Sequence, residues 1–177
     1  MNGLGKRICA ILLGLATVGG GATYLSVSGV EDVAKYEGYR LTAYADPGVG
    51  WALPTICRGH TGTDVYRGLT VSAEQCDRWF AQDLRAAERD VQTLVAVPVK
   101  QGEYDALVSF RFNVGITRVK SSTLLRELNR GNRKASCNEY PKWKYANQMV
   151  LEGLVVRRYA EQKTCQQEGP YVYRPKT

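Results

Sequence analysis

The feature that most constrains the fold is a change of pattern at Ser72. Over residues 40–70 the chain carries Pro47, Gly48, Gly50, Pro54, Gly59 and Gly62. Proline fixes φ and lacks the backbone donor, and glycine inside a helix costs about 1 kcal/mol relative to alanine. A helix cannot run through such a stretch, whereas short strands joined by turns can. From Ser72 onward the period becomes helical. Ser72 with Gln75 reads as a capping box, and Cys76, Phe80, Leu84, Ala87, Val91 and Leu94 recur on one helical face. The same signals predict helices over about 30–37, 100–113, 133–143 and 154–166, and one from Ser121 or Ser122 to Gly131. The fold class is therefore α+β: a small β region near the start and a mainly helical lobe after it, with a cleft expected where they meet.

The 177 residues divide into an N-terminal segment (1–29), a globular domain (30–168) and a tail (169–177) expected to be loose, since it holds Pro170 and Pro175. In the first segment Lys6 and Arg7 precede a run without charge from Ile8 to Val30, closed by Glu31 and Asp32. About 20 residues cross a bilayer as a helix, with the basic end kept in the cytoplasm. The first half of the run is apolar. The second half, with Gly19, Gly20, Gly21, Ser26 and Ser28, gains little from lipid and weakens a helix. The segment reads as a retained anchor able to leave the membrane, with a cleaved signal peptide and a permanent span as the alternatives.

The formal charge of +7 favours a polyanionic partner: nucleic acid, anionic lipid or cell wall. No basic-aromatic motif points to nucleic acid. The five cysteines form no C-x-x-C pair and the chain has a single histidine, so no zinc site, and no other cofactor, is expected. Cys57, Cys76, Cys137 and Cys165 lie in the globular part and allow three pairings; disulfides would place the protein in an oxidising compartment such as the periplasm.

Glu37 closes the first helix of the domain, and Asp46 follows within the turn sequence Tyr44-Ala45-Asp46-Pro47-Gly48. Cleaving a glycosidic bond takes two carboxyl groups, one donating a proton to the leaving oxygen while the other attacks or activates water. The donor keeps its proton in apolar surroundings, which Tyr36, Tyr39, Tyr44 and Trp51 are close enough in sequence to supply. By itself, a Glu and an Asp at this spacing is a common surface pair. The neighbouring residues make it specific. Glu37-Gly38-Tyr39, Tyr44-Ala45-Asp46 and Thr55-Ile56-Cys57-Arg58-Gly59-His60-Thr61-Gly62 resemble the opening of the phage T4-type lysozymes, glycoside hydrolase family 24. Residues 106–115, 122–131, 143–146 and 153–158 are similar to that family's later helices in the same order.

The resemblance implies a muramidase with Glu37 as general acid, Asp46 orienting or activating water, and Thr55 holding that water by its hydroxyl. It also implies inversion at the anomeric carbon, which calls for carboxyls roughly 6.5–9.5 Å apart. His60, Asn113 and Arg157 are the candidate substrate contacts. Eight residues separate Asp46 from Thr55 where the family has five, which is expected to lengthen the hairpin turn. The expected disulfides are Cys57–Cys76 and Cys137–Cys165, leaving Cys9 in the membrane segment. The weak anchor is similar to those of signal-anchor-release endolysins. By that likeness the chain is tethered through residues 8–27 to the inner membrane facing the periplasm, then released as a monomer to act on peptidoglycan. A lytic transglycosylase and an inactive wall-binding relative are the competing readings, against which an intact Glu37, Asp46 and Thr55 set argues.

Overall fold

The computed structural model of the chain describes residues 3–19, 22–146 and 148–175. It falls into two compact units, one comprising the chain up to Thr23 and Val30–Arg85, the other Tyr24–Gly29 and Ala86 onward.

The first unit holds α1 (Gly3–Gly19), most of α2 (Val27–Tyr36), a three-stranded antiparallel sheet and the front of α3 (Ala73–Leu94). The sheet has the order β1 (Arg40–Asp46), β2 (Gly50–Cys57), β3 (His60–Thr61). Gly59, in the tight turn from β2 to β3, has φ +83°, a left-handed conformation that glycine adopts without a Cβ clash. Residues 69–71 close the outer edge of β1, where Ala43 N donates to Leu69 O at 2.8 Å and Val71 N to Leu41 O at 2.9 Å. Beneath the sheet Ala43, Ile56, Cys57, Val65, Cys76 and Trp79 form a core, with Leu69 and Val71 packed against it. Cys57 and Cys76 lie at disulfide distance, Cα–Cα 5.2 Å, tying β2 to α3 as expected. Of the capping box expected at α3 the serine half is present, Ser72 Oγ accepting from Gln75 N at 3.2 Å, while the Gln75 side-chain oxygen accepts from Arg78 instead.

Ile8 and Leu12 of α1 are fully buried. Arg7 pairs with Asp77 at 3.2 Å. Gly5 approaches α2 so closely that a Cβ there would fall 2.7 Å from Glu31 Cγ. Among the described residues no helix is long and apolar enough to cross a membrane. Of the segment expected over 8–27, residues up to Gly19 belong to α1 and residues 22–26 are non-helical, while residues 20 and 21 lie outside the described residues.

The second unit is built around α4 (Gln101–Val114), which follows the two-residue strand β4 (Val99–Lys100). Short helices α5 (Ile116–Lys120), α6 (Thr123–Asn129) and α7 (Arg133–Cys137) follow, then a 3-10 turn (Tyr140–Lys142), the hairpin β5 (Tyr145–Ala146) and β6 (Met149–Val150), and α8 (Glu152–Cys165). Tyr104, Ala106, Leu107, Val108 and Phe110 bury α4 almost all round, which is why no clean amphipathic stripe marks it. Gly102 lets α8 approach; a Cβ there would meet the Thr164 carbonyl oxygen at 2.2 Å. Cys137 and Cys165, Cα–Cα 5.7 Å, join α7 to α8. The helix expected over 133–143 is split, because Pro141 sits in the 3-10 turn and has no amide to continue an α-helical ladder.

The C-terminal segment departs from expectation. Residues 171–173 form strand β7, paired with β4 through Val99↔Tyr173 and Lys100↔Tyr171, and Tyr173 Oη donates to Gln92 O at 2.7 Å. Two prolines nearby do not prevent pairing over three residues that contain none. Residues 24–26 are also held, Glu88 accepting from Tyr24 N (2.8 Å) and Leu25 N (3.0 Å) and Asp105 from Ser26 N (3.1 Å).

Candidate active site

Glu37 lies one residue beyond α2, half-buried. The helix end is pinned by Arg58, whose guanidinium donates to Ala34 O at 3.0 Å and lies over the rings of Tyr39 (4.8 Å) and Phe80 (5.6 Å). Its neighbour Gly59 sits against the acid: a Cβ there would lie 3.6 Å from Glu37 Oε2. The β2–β3 turn thus flanks the Glu37 carboxylate. Arg58 belongs to the motif quoted above, but its sequence context carried no hint of this role.

Asp46 ends β1 and holds the hairpin turn. Its Oδ1 accepts from Gly48 N (2.8 Å) and Val49 N (3.0 Å), the side-chain-to-backbone pattern that makes aspartate a turn former. Both bonds use the same oxygen. Thr55, on β2, is 5% exposed and donates its hydroxyl hydrogen to Leu53 O at 3.1 Å, which leaves its lone pairs as acceptors.

Tyr44 relates the three. It pairs with Thr55 across the β1–β2 ladder. Its phenol pKa is raised, first by burial and then by the negative charges of Glu37 and Asp46, against the lowering effect of Arg40, whose guanidinium is 4.8 Å above the ring. One phenol therefore feels both carboxylates while its strand partner is the threonine. Sequence proximity suggested Tyr44 only as one of several apolar neighbours.

The long spacing between Asp46 and Thr55 is absorbed differently from the expectation. Ala45 pairs with Pro54, but the next residue, Asp46, pairs with Gly50. The hairpin turn stays short, and Trp51, Ala52 and Leu53 form a bulge in β2, all three exposed. Bulged residues leave the ladder while the strands on either side stay in register, so an insertion need not displace Thr55.

Of the expected substrate contacts, His60 and Arg157 turn out to be interior. His60 stacks on Trp79 at 4.5 Å and its Nδ1 is 2.9 Å from Asp83 Oδ2, with Nε2 3.5 Å from Asp64. Burial alone would lower the imidazole pKa; the hydrogen bonds and charges of Asp83 and Asp64 outweigh it, so the pKa is raised. Asp83, 23 residues away, has no local signal linking it to His60. Arg157, 3% exposed, donates to Glu161 Oε1 and Ser109 O, both at 3.2 Å. Burial pushes the Glu161 carboxyl up, and Arg158, Arg157 and Ser109 hold it back. Asn113 remains exposed at the end of α4, its Oδ1 accepting from Arg158. No group of side chains among the described residues is arranged to hold a metal ion.

A small sheet bearing an aspartate and a threonine beside a helix-end glutamate, joined to a helical unit, defines the class: a glycoside hydrolase of lysozyme-like fold. The profile of the phage lysozyme family matches residues 34–161, and the chain belongs to that family. It is 32% identical over 153 residues to the SAR-endolysin of Enterobacteria phage P21, covering 85% of this chain and 91% of that one. It is 38% identical over 142 residues to the endolysin of Bacillus phage B103, covering 77% of this chain but spanning only about half (52%) of that protein's length. Among solved structures, the muramidase domain of SpmX from Asticaccaulis excentricus superposes with a TM-score of 0.73 at 32% identity, over 81% of this chain and 98% of that one.

Proposed function

We propose that this chain hydrolyses the β-1,4 bond between N-acetylmuramic acid and N-acetylglucosamine in peptidoglycan, with Glu37 as general acid, Asp46 as the water-activating carboxylate and Thr55 as the hydroxyl that holds the water. The observation that carries this is the β1–β2–β3 sheet, in which the paired strands β1 and β2 bear Asp46 and Thr55 while the turn after β2 lies against Glu37, an added Cβ on Gly59 falling 3.6 Å from its Oε2. The likeness to a muramidase domain agrees with it. Glu37 delivers its proton to the leaving glycosidic oxygen as the bond to the anomeric carbon breaks. The water attacks that carbon from the opposite side and passes a proton to Asp46, whose Oδ2 is not used by the turn. Thr55 Oγ1, its hydrogen committed to Leu53, accepts from the water and orients it.

The test is clearing of purified peptidoglycan by the wild type and by Glu37→Gln, with mass analysis of the fragments. Loss of a positioned general acid lowers the rate by roughly 10²–10⁴-fold. Hydrated reducing ends are expected. Anhydro-sugar ends would move the assignment to a transglycosylase, and unchanged clearing by Glu37→Gln would overturn it altogether.

The same reading makes the protein a host-lysis enzyme that is held to the inner membrane through residues 8–27 and then released, as a monomer, into the periplasm. The basic flank Lys6-Arg7, the uncharged run after it and the SAR-endolysin relatives support this. Fractionation tests it: the chain should pellet with membranes while the membrane potential stands and become soluble once it is dissipated. A chain soluble throughout would remove the anchor.

A further inference from the structure

The bulge in β2 and the hairpin turn just before it contribute no side chain to the chemistry above. They put large apolar side chains into water. Val49 is 59% exposed, and Trp51 and Leu53 are each 41% exposed. An exposed indole in a sheet gains little for folding, and a domain with an ample core does not need it there. Arg67 lies over the Trp51 ring at 5.1 Å, a cation–π contact that restrains the indole without removing it from solvent. The bulge is also local: pairing resumes at Ala45↔Pro54 and Tyr44↔Thr55, ahead of a second, separate irregularity in β1 between Tyr44 and Arg40. Its position is set by the chain itself, Trp51 being the residue after Gly50, the ladder partner of Asp46.

We infer that Trp51 is a sugar-stacking platform that takes the apolar C–H face of a pyranose ring of the glycan strand, next to the ring being cut, with Leu53 as its apolar border. A pyranose presents axial hydrogens on one face and hydroxyls at its rim, so a flat, partly hydrated indole binds it by dispersion and by the polarity of the ring face. This inference rests on the assignment of Asp46 and Thr55 above, since their strands fix where the polymer runs. The platform acts on binding of the strand and on which bonds along it are presented, and not on proton transfer.

The experiment uses the full chain carrying Glu37→Gln, so that glycan fragments bind without being cut. Affinities are measured for muramyl-containing oligosaccharides of increasing length, with Trp51→Ala and Trp51→Phe added in turn. Trp51→Ala should weaken binding of long fragments by roughly 3–10-fold, with little change for those too short to reach the platform. Trp51→Phe should recover most of the affinity but lose the Trp51 contribution to the shift in tryptophan emission on binding, leaving only buried Trp79 and half-buried Trp143, which packs on Phe110, to respond. Equal affinities with and without Trp51 at every length would overturn the inference. So would loss of binding to anionic phospholipid vesicles in place of glycan, which would make the bulge a membrane contact. Cutting by Glu37→Gln alone would refute the catalytic assignment and is read separately.

Discussion

Replacing Asp83 by asparagine should destabilise the protein in a pH-dependent way. Asp83 holds His60 at 2.9 Å, and both side chains are largely out of water, 32% and 11% exposed. A hydrogen bond to a charged group contributes about 1.5–3 kcal/mol. For a chain of this size each kcal/mol moves the melting temperature by about 2–4 °C, so Asp83→Asn should lower it by roughly 3–12 °C where His60 is charged. The imidazole pKa is raised in the folded state. Its charged-state contribution is therefore fully present below the unfolded value near 6.5 and is lost as pH rises through the higher folded value. Thermal melts of wild type and Asp83→Asn at about pH 5.5 and pH 9 should show a large difference at the lower pH and a smaller one at the higher, where a neutral hydrogen bond remains. Asp64, 3.5 Å from Nε2, keeps part of the effect in the variant. A difference that is constant with pH, or larger at pH 9, would refute the reasoning.

Gly102→Ala should cost about 1–3 kcal/mol by driving a methyl group into the Thr164 carbonyl, measurable as a lower denaturant midpoint. Cys137→Ser opens a loop of 28 residues and should cost about 3–4 kcal/mol on chain-entropy grounds, with wild type in reductant losing more because the Cys57–Cys76 bond opens as well. Glu88→Ala should leave the amides of Tyr24 and Leu25 without their acceptor, costing about 1–3 kcal/mol and speeding amide exchange at those two residues. Thr55→Val should lower clearing activity while Thr55→Ser retains it, because the assigned role needs the hydroxyl and not the methyl.

Much of this protein is readable along the chain wherever the information is local. Turn residues between Arg40 and Thr70 forbid a helix and yield the hairpin. The Ser72 cap starts α3, and Gly131, at φ +83°, ends its element as predicted. Glu37, Asp46 and Thr55 stand out because their neighbours form an ordered set of motifs. Other expectations failed for want of local signal. The loose tail became β7 because its pairing partner, β4, lies some 70 residues earlier. The lengthened turn became a bulge because Asp46 captures the amides of Gly48 and Val49 and so keeps the hairpin short.

The order of residues alone settles which segments bend, which coil and which acids are candidates, since capping, proline geometry and side-chain periodicity act within a few positions. Whether a polar side chain faces solvent or is enclosed was decided in three dimensions. His60 is enclosed by Asp83 and Trp79, and Arg157 by Ser109 and Glu161, which neither residue's place in the sequence announced. A charge is buried only when partners satisfy it, and those supplied by other elements, Asp83 to His60 and Ser109 to Arg157, leave no trace in the neighbouring residues.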